Sequence, residues 1–407
     1  MIKKILLSAY ACEPETGSEH GIGWGWINFL SKNNFKVEVI TRKSNKNKIE
    51  IFLKNKKMNN VKFHYFDLSG FFIKFFKGKN NQYSYLYFII WQIFIFFKFK
   101  SYIKNNNFDF VHHVTFGSIR IPSFLGFCHK NFIFGPVAGL EAVPIIFLRN
   151  FSLKDKLIEL LRLFSNFYIR FSLLMNITFM NSKKIIVSSK DNFNKLSKIY
   201  QKKTKIIFAT RLQEKIYYKR ININSIYKKK EIKILFVGRL ISWKGIDILL
   251  ETFKKISELN NKKNFKLFIR GDGPKKKKII KFIKDNNLQK KIFLIKKKKN
   301  LKNLYSDIGL FFFPSLRETG GMALLEAMSY GIPPAIIKNG GPGEIVKNNC
   351  GIVVDYKSHK RHEVVEIFKK EILKLSINPK KANYYGKNSF NRVDKFIWNK
   401  ELLKIYD

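Results

Sequence analysis

Glu318 and Glu326 stand eight positions apart in the run Phe311-Phe312-Phe313-Pro314-Ser315-Leu316-Arg317-Glu318-Thr319-Gly320-Gly321-Met322-Ala323-Leu324-Leu325-Glu326-Ala327-Met328. A carboxylate pair can serve as the acid and base of a glycoside hydrolase. The surrounding residues give these two different work. An apolar strand leads to Glu318, Gly320-Gly321 make a turn, and a helix then carries Glu326 before Gly331-Ile332-Pro333 closes the segment. Backbone amides at such a helix start face an anion. A carboxylate on the helix can accept two hydrogen bonds from a ribose diol, as acidic residues do in other α/β nucleotide sites. Met322 sits at the helix start with the glycines.

Two cations occupy another tight loop. Gly238-Arg239-Leu240 and Trp243-Lys244-Gly245 follow the apolar run Ile234 to Val237 and precede an apolar helix. The Arg fork, the Lys point charge and nearby amides suit an anion with closely spaced charges, such as a diphosphate. A third turn, Gly271-Asp272-Gly273-Pro274, ends the run Lys266 to Arg270, and its glycines let the backbone bend without Cβ clashes.

These loops need strands and helices to hold them. Short strands are expected at Ile5 to Leu7, Val37 to Ile40, Val61 to Tyr65, Phe110 to Val114, Asn131 to Phe134 and Lys184 to Val187. The rhythm restarts after Lys228 to Glu231, with a strand at Ile234 to Val237, a helix at Ile246 to Leu259, a strand at Lys266 to Arg270 and a lysine-rich helix from Lys275. Strands alternating with helices imply parallel, doubly wound sheets, which bind ligands outside the carboxyl ends of their strands.

Composition bounds the rest. The chain has 407 residues, 45% hydrophobic and 15% aromatic, enough for two packed domains. Its net charge of +49 is spread widely, in lysine runs at Lys228 to Lys230, Lys275 to Lys278 and Lys296 to Lys299. That pattern reads first as an amino-acid bias with solvated lysines, and next as a basic surface for an anionic bilayer. Nucleic-acid binding has no zinc spacing, basic zipper or RNA-binding aromatic signature to support it.

Cys12, Cys128 and Cys350 form no metal or redox pair, and no signal-peptide pattern opens the chain, so a cytoplasmic body is expected. Tyr85 to Phe97 is apolar but, at 13 residues, short of the ~20 that span a bilayer, so it reads as a buried helix. Joined to Phe71 to Phe76 and the flanking lysines, it also offers an aromatic, basic surface for the headgroup layer.

Taken together, the Gly238-Arg239 and Lys244-Gly245 loop, the Gly271 to Pro274 turn and the Glu318/Glu326 segment resemble a family 4 glycosyltransferase of GT-B architecture. Ala11-Cys12-Glu13-Pro14 with Gly17-Ser18-Glu19-His20-Gly21 resembles the family's glycine-rich first loop, and Gly135-Pro136-Val137-Ala138-Gly139-Leu140-Glu141 its Gly-Pro-Val-Gly-Gly segment. Phe208-Ala209-Thr210-Arg211 departs from the family's Pro-Asn-Gly. Gly340-Gly341-Pro342-Gly343-Glu344 resembles another family stretch and reads as mainly structural.

The resemblance implies two Rossmann-like doubly wound domains facing an interdomain cleft. An acceptor-binding domain is expected over 1–215, a nucleotide-sugar-binding domain over 216–385, and a C-terminal helix over 386–407 packing back on the first domain. It implies retaining transfer of a sugar from a nucleotide diphosphate sugar to a glycan or lipid-linked acceptor in cell-surface polysaccharide or lipopolysaccharide synthesis. Arg239 and Lys244 would neutralise the diphosphate, Glu318 would contact the donor sugar, and Glu326 would bind ribose. Gly17, Gly238, Gly271, Gly273, Gly320, Gly321 and Met322 would line the donor site. A family histidine after a first-domain strand corresponds to His112 or His113, with His113 taken here. No Asp-x-Asp motif is present, and neither metal nor other cofactor is implied. The enzyme would be cytoplasmic or peripheral on the inner face of the plasma membrane. A nucleotide-sugar epimerase of the same architecture is the alternative.

Overall fold

A computed structural model describes residues 2–70, 85–169, 171–212, 220–259, 262–295 and 304–407. The Phe71 to Phe76 segment, the Lys296 to Lys299 run and the expected domain boundary at 215/216 lie outside these residues. The chain forms two units. The first comprises residues 1–140, 164–211 and 398–407, and the second 141–163 and 212–397.

In the first unit, seven strands, β1 (Lys4–Ala9), β2 (Lys36–Thr41), β3 (Val61–Tyr65), β4 (Phe110–Thr115), β5 (Phe132–Val137), β6 (Lys184–Val187) and β7 (Thr204–Ile206), form a sheet in the order β3-β2-β1-β4-β5-β6-β7. Every adjacent pair is parallel. Both faces are covered, so β1, β4 and β5 are buried along nearly their whole length rather than at alternate residues.

The apolar stretch from Tyr85 belongs to a longer helix than the sequence suggests, Tyr85–Asn105, and is long and apolar enough to cross a membrane. Tyr87, Trp91, Ile95, Phe99 and Ile103, each four apart, instead line one buried stripe in the core of the first unit. Helix continues through Lys98, Lys100 and Lys104 because long straight side chains keep helical propensity while their ammonium groups reach solvent.

The second unit repeats the design. Strands β8 (Glu231–Val237), β9 (Asn264–Arg270), β10 (Ile292–Ile295), β11 (Leu310–Phe313), β12 (Pro334–Ile337) and β13 (Ile352–Val354) pair in the order β10-β9-β8-β11-β12-β13, all parallel. The order reverses between β8 and β11. Such a switch point opens a crevice beyond the strand ends, and Gly238 and Pro314 follow these two strands directly.

The division departs from the sequence expectation in two places. Residues 141–163 belong to the second unit, where the buried Glu159 carboxylate pairs with Arg317 at 2.9 Å. The tail also divides differently. Helix Pro379–Arg392 runs through the expected 385/386 boundary, and only Trp398–Asp407 joins the first unit, ending in a 3-10 turn over Lys400–Tyr406 rather than an α-helix. Trp398 packs edge-on against Trp26, and the Tyr406 hydroxyl lies 2.6 Å from His112 Nδ1.

Candidate nucleotide-sugar site

Strand β8 delivers Gly238 and Arg239 into a loop that closes with a 3-10 turn, Ser242–Lys244, and with Gly245 at φ +71. A side chain on Gly245 would run into the Pro314 carbonyl that follows β11. Glycine there lets the β8 and β11 loops touch. Leu316 N donates to the Trp243 carbonyl at 2.9 Å, joining the loops further.

The Gly271 turn lies backbone against backbone on the same loop. Gly238 N donates to Arg270 O at 3.0 Å, Leu240 N to Asp272 O at 2.9 Å, and Lys275 N to Leu240 O at 3.0 Å. A Cβ on Gly271 would strike the Gly238 carbonyl, and one on Gly273 the Leu240 backbone. Steric need for close approach therefore explains both glycines.

Beyond the ends of β8 and β9 lies a cavity of about 660 Å³. Gly238, Arg239, Gly271 and Glu326 share its wall with Arg270 and Ile295. This volume suits a small-molecule ligand, and the wall offers backbone, cationic, anionic and apolar groups together. Arg239 is exposed. Glu326, on helix Met322–Ser329, accepts a hydrogen bond from the Tyr305 hydroxyl at 3.2 Å. Burial raises the Glu326 carboxyl pKa, opposed by that hydrogen bond and by Arg270.

Lys244 and Glu318 lie outside that wall but contact each other as an ion pair. Burial pushes the Lys244 ammonium down to about 7, with Arg317 and Arg239 adding to the effect. Gly341 N donates to the Glu318 carbonyl at 2.8 Å, and side chains on Gly340 or Gly341 would strike the 318–319 backbone. The Gly340 to Glu344 stretch thus fixes the backbone beneath Glu318. Gly321, at φ +126, caps the helix bearing Glu326, and Gly320 is buried just before it; Met322, its first residue, is half-buried.

The remaining expected residues belong to the first unit. Gly17 precedes helix Ser18–Lys32 with extended backbone and open space around its Cα, so its backbone would accept other residues. His113 is fully buried in β4, its ring against Phe134 and its Nε2 3.3 Å from the Phe116 carbonyl. Burial holds it neutral, lowering its pKa to about 4. His112 Nε2 lies 2.6 Å from the Gly135 carbonyl, so Nε2 carries the proton and Nδ1 accepts from Tyr406. That pair of bonds gives His112 a structural role.

Sequence reasoning passed over Arg270, Asp272 and Leu294 of the cavity wall, Tyr305 behind Glu326, and Arg317. Arg270 and Asp272 flank the Gly271 turn and were within reach of sequence. Leu294 belongs to β10, whose short apolar run resembles any core strand. Arg317 stacks on Trp243 at 4.6 Å, a contact no spacing announces. Among the described residues, no group of three or more His, Cys, Asp or Glu could hold a metal ion.

Residues 219–392 match the family model for glycosyl transferases group 1. The amylovoran biosynthesis glycosyltransferase AmsD of Erwinia amylovora is 32% identical over 138 residues, 34% of this chain and 38% of that protein. An uncharacterised glycosyltransferase of Methanocaldococcus jannaschii is 30% identical over 233 residues, 56% of this chain and 60% of its own length. The matches thus span 38% and 60% of these two relatives' own lengths, less than two thirds of each.

The solved structure of sucrose-phosphate synthase from Thermosynechococcus elongatus aligns over 99% of this chain and 96% of its own, with TM-score 0.67 and 17% identity. TarM aligns over 100% and 99%, with TM-score 0.65 and 13% identity. The fold is GT-B, two parallel-sheet α/β domains.

Proposed function

We propose that this chain, with a GT-B fold and a glycosyl transferases group 1 segment in its second unit, is a retaining glycosyltransferase using a nucleotide diphosphate sugar. It moves the sugar to a glycan or lipid-linked acceptor of cell-surface polysaccharide or lipopolysaccharide synthesis, at the inner face of the plasma membrane. The observation that carries the reading is the cavity at the β8 and β9 ends, where Arg239 and Glu326 meet beside two glycine loops.

Each group has a task there. Glu326 accepts hydrogen bonds from the ribose diol, and the open Gly238 and Gly271 backbones let the nucleotide approach. Arg239 and Lys244 stabilise the charge that builds on the β-phosphate as the bond to the sugar breaks. Fixed cations at that position lower the barrier to an oxocarbenium-like transition state. Glu318, held beside Lys244, orients the donor sugar. The acceptor hydroxyl attacks from the face the nucleotide leaves, and the departing diphosphate takes its proton.

Relatives fit this chemistry. One solved relative, HepE of Anabaena, is a complex with UDP-glucose, and WaaG is described as a glycosyltransferase of lipopolysaccharide biosynthesis. Thermal melts of the full chain with a panel of nucleotide sugars test the proposal. Stabilisation by one donor class, followed by product formation only when acceptor is added, supports it. Conversion of the donor without acceptor would identify an epimerase instead.

A further inference from the structure

Helix Leu153–Tyr168 is amphipathic in the reverse sense for a protein helix. Its polar side is turned inward. In the second unit, Glu159 pairs with Arg317, Asp155 accepts from the Ser242 hydroxyl, and Arg162 Nε donates to the Glu141 carbonyl at 3.1 Å. In the first unit, Asn166 Nδ2 donates to the Leu140 carbonyl at 3.1 Å. Residues 155, 159, 162 and 166 follow the spacing of one helical face.

The opposite side is apolar and open. Leu153, Leu157, Leu160, Leu161, Phe164 and Phe167 are 55% to 85% exposed, and at 3.6 residues per turn they cover about 120° of the circumference. Scattered exposed apolar residues need no explanation, but a continuous stripe marks an interaction surface. We propose that this stripe seats the protein on an anionic lipid bilayer, with the helix lying in the headgroup layer.

Charge selects this occupant. Exposed Lys154 and half-buried Lys156 flank the stripe on the same helix, and exposed Arg149 lies four residues ahead of it in sequence, in a chain carrying a net +49. A second copy would bring another +49 against it, whereas anionic headgroups attract both the flanking cations and the molecule as a whole. The stripe is a convex ridge of Leu and Phe on a helix, the form that enters an interface plane. The inference rests on the proposed function for its purpose, bringing the active site to a lipid-linked acceptor, but the contact itself does not depend on the donor.

Flotation of the full chain with phosphatidylcholine vesicles, with and without phosphatidylglycerol, tests it. The parent should bind only the phosphatidylglycerol vesicles, and less at high salt. The variant Leu160→Glu/Phe164→Glu/Phe167→Glu should lose at least about tenfold in partitioning while keeping its circular dichroism and its thermal stabilisation by nucleoside diphosphate. Parent-like partitioning of that variant, failure of the parent to bind, or a parent dimer split by the three substitutions would each overturn the proposal. Loss of donor stabilisation in the parent would instead count against the glycosyltransferase reading.

Discussion

Lys244 and Glu318 form an ion pair in the second unit, with only 15% and 20% of their side chains exposed. One comes from the loop after β8 and the other from the loop after β11. The pair thus joins the two sides of the sheet's switch point, where a doubly wound sheet places its ligand. A sheltered cation held by a displaceable carboxylate is suited to receive a diphosphate.

Lys244→Ala is expected to lower kcat/KM for transfer by roughly 10² to 10³ fold, the scale for removing one group that stabilises developing charge. Glu326→Ala should act mainly through donor KM, since ribose contacts are made equally in ground and transition states. Steady-state kinetics at varied donor concentration separate the two. Parent-like activity in both variants would refute the assignment.

The Lys244 pKa gives a pH signature. Its folded value, near 7, lies below the ordinary 10.5, so the unfolded chain holds more protons between those values and stability from this group rises with pH across that window. Diphosphate binding favours the ammonium. Nucleoside diphosphate should therefore bind with proton uptake above pH 7, measured by calorimetry in buffers of different ionisation enthalpy.

Transfer should persist in EDTA, because in the proposed site Arg239, Lys244 and backbone amides would supply the charge that a divalent ion otherwise provides. Complete loss in chelator, restored by Mg²⁺, is the result that would count against this.

The buried Arg317 and Glu159 pair fastens the 141–163 segment in the second unit. Arg317→Met leaves a buried carboxylate uncompensated and should cost about 3 to 5 kcal/mol, much of it regained in Arg317→Met/Glu159→Leu. Thermal melting of the single and double variants reads this out. Equal midpoints for the single variant and the parent would show the pair to be dispensable.

The donor-side elements were legible because their glycines obey local rules. A strand, a glycine turn and a helix in succession announce Gly238, Gly271 and Gly321; the structure shows close backbone approach at Gly271 and positive φ at Gly321, whereas a Cβ on Gly238 would meet only the Phe236 ring. Four strands were not read from the sequence: β7, β10, β12 and β13, each of only three or four residues. Short apolar runs carry too little periodicity to tell a buried strand from a helix segment. Nor could spacing show that residues 141–163 leave the first unit, since that depends on Glu159 finding Arg317 far along the chain. His112 illustrates the same limit, its partner Tyr406 being the penultimate residue.

The central claim, that the second unit holds a nucleotide diphosphate sugar between Glu326 and the two cations, is tested most directly by calorimetric titration of the full chain with nucleoside diphosphates. One base should bind at a single site, with affinity reduced at least about tenfold in each of Arg239→Ala, Lys244→Ala and Glu326→Ala. Unchanged affinity in all three, or no binding of any nucleoside diphosphate by the parent, would contradict it.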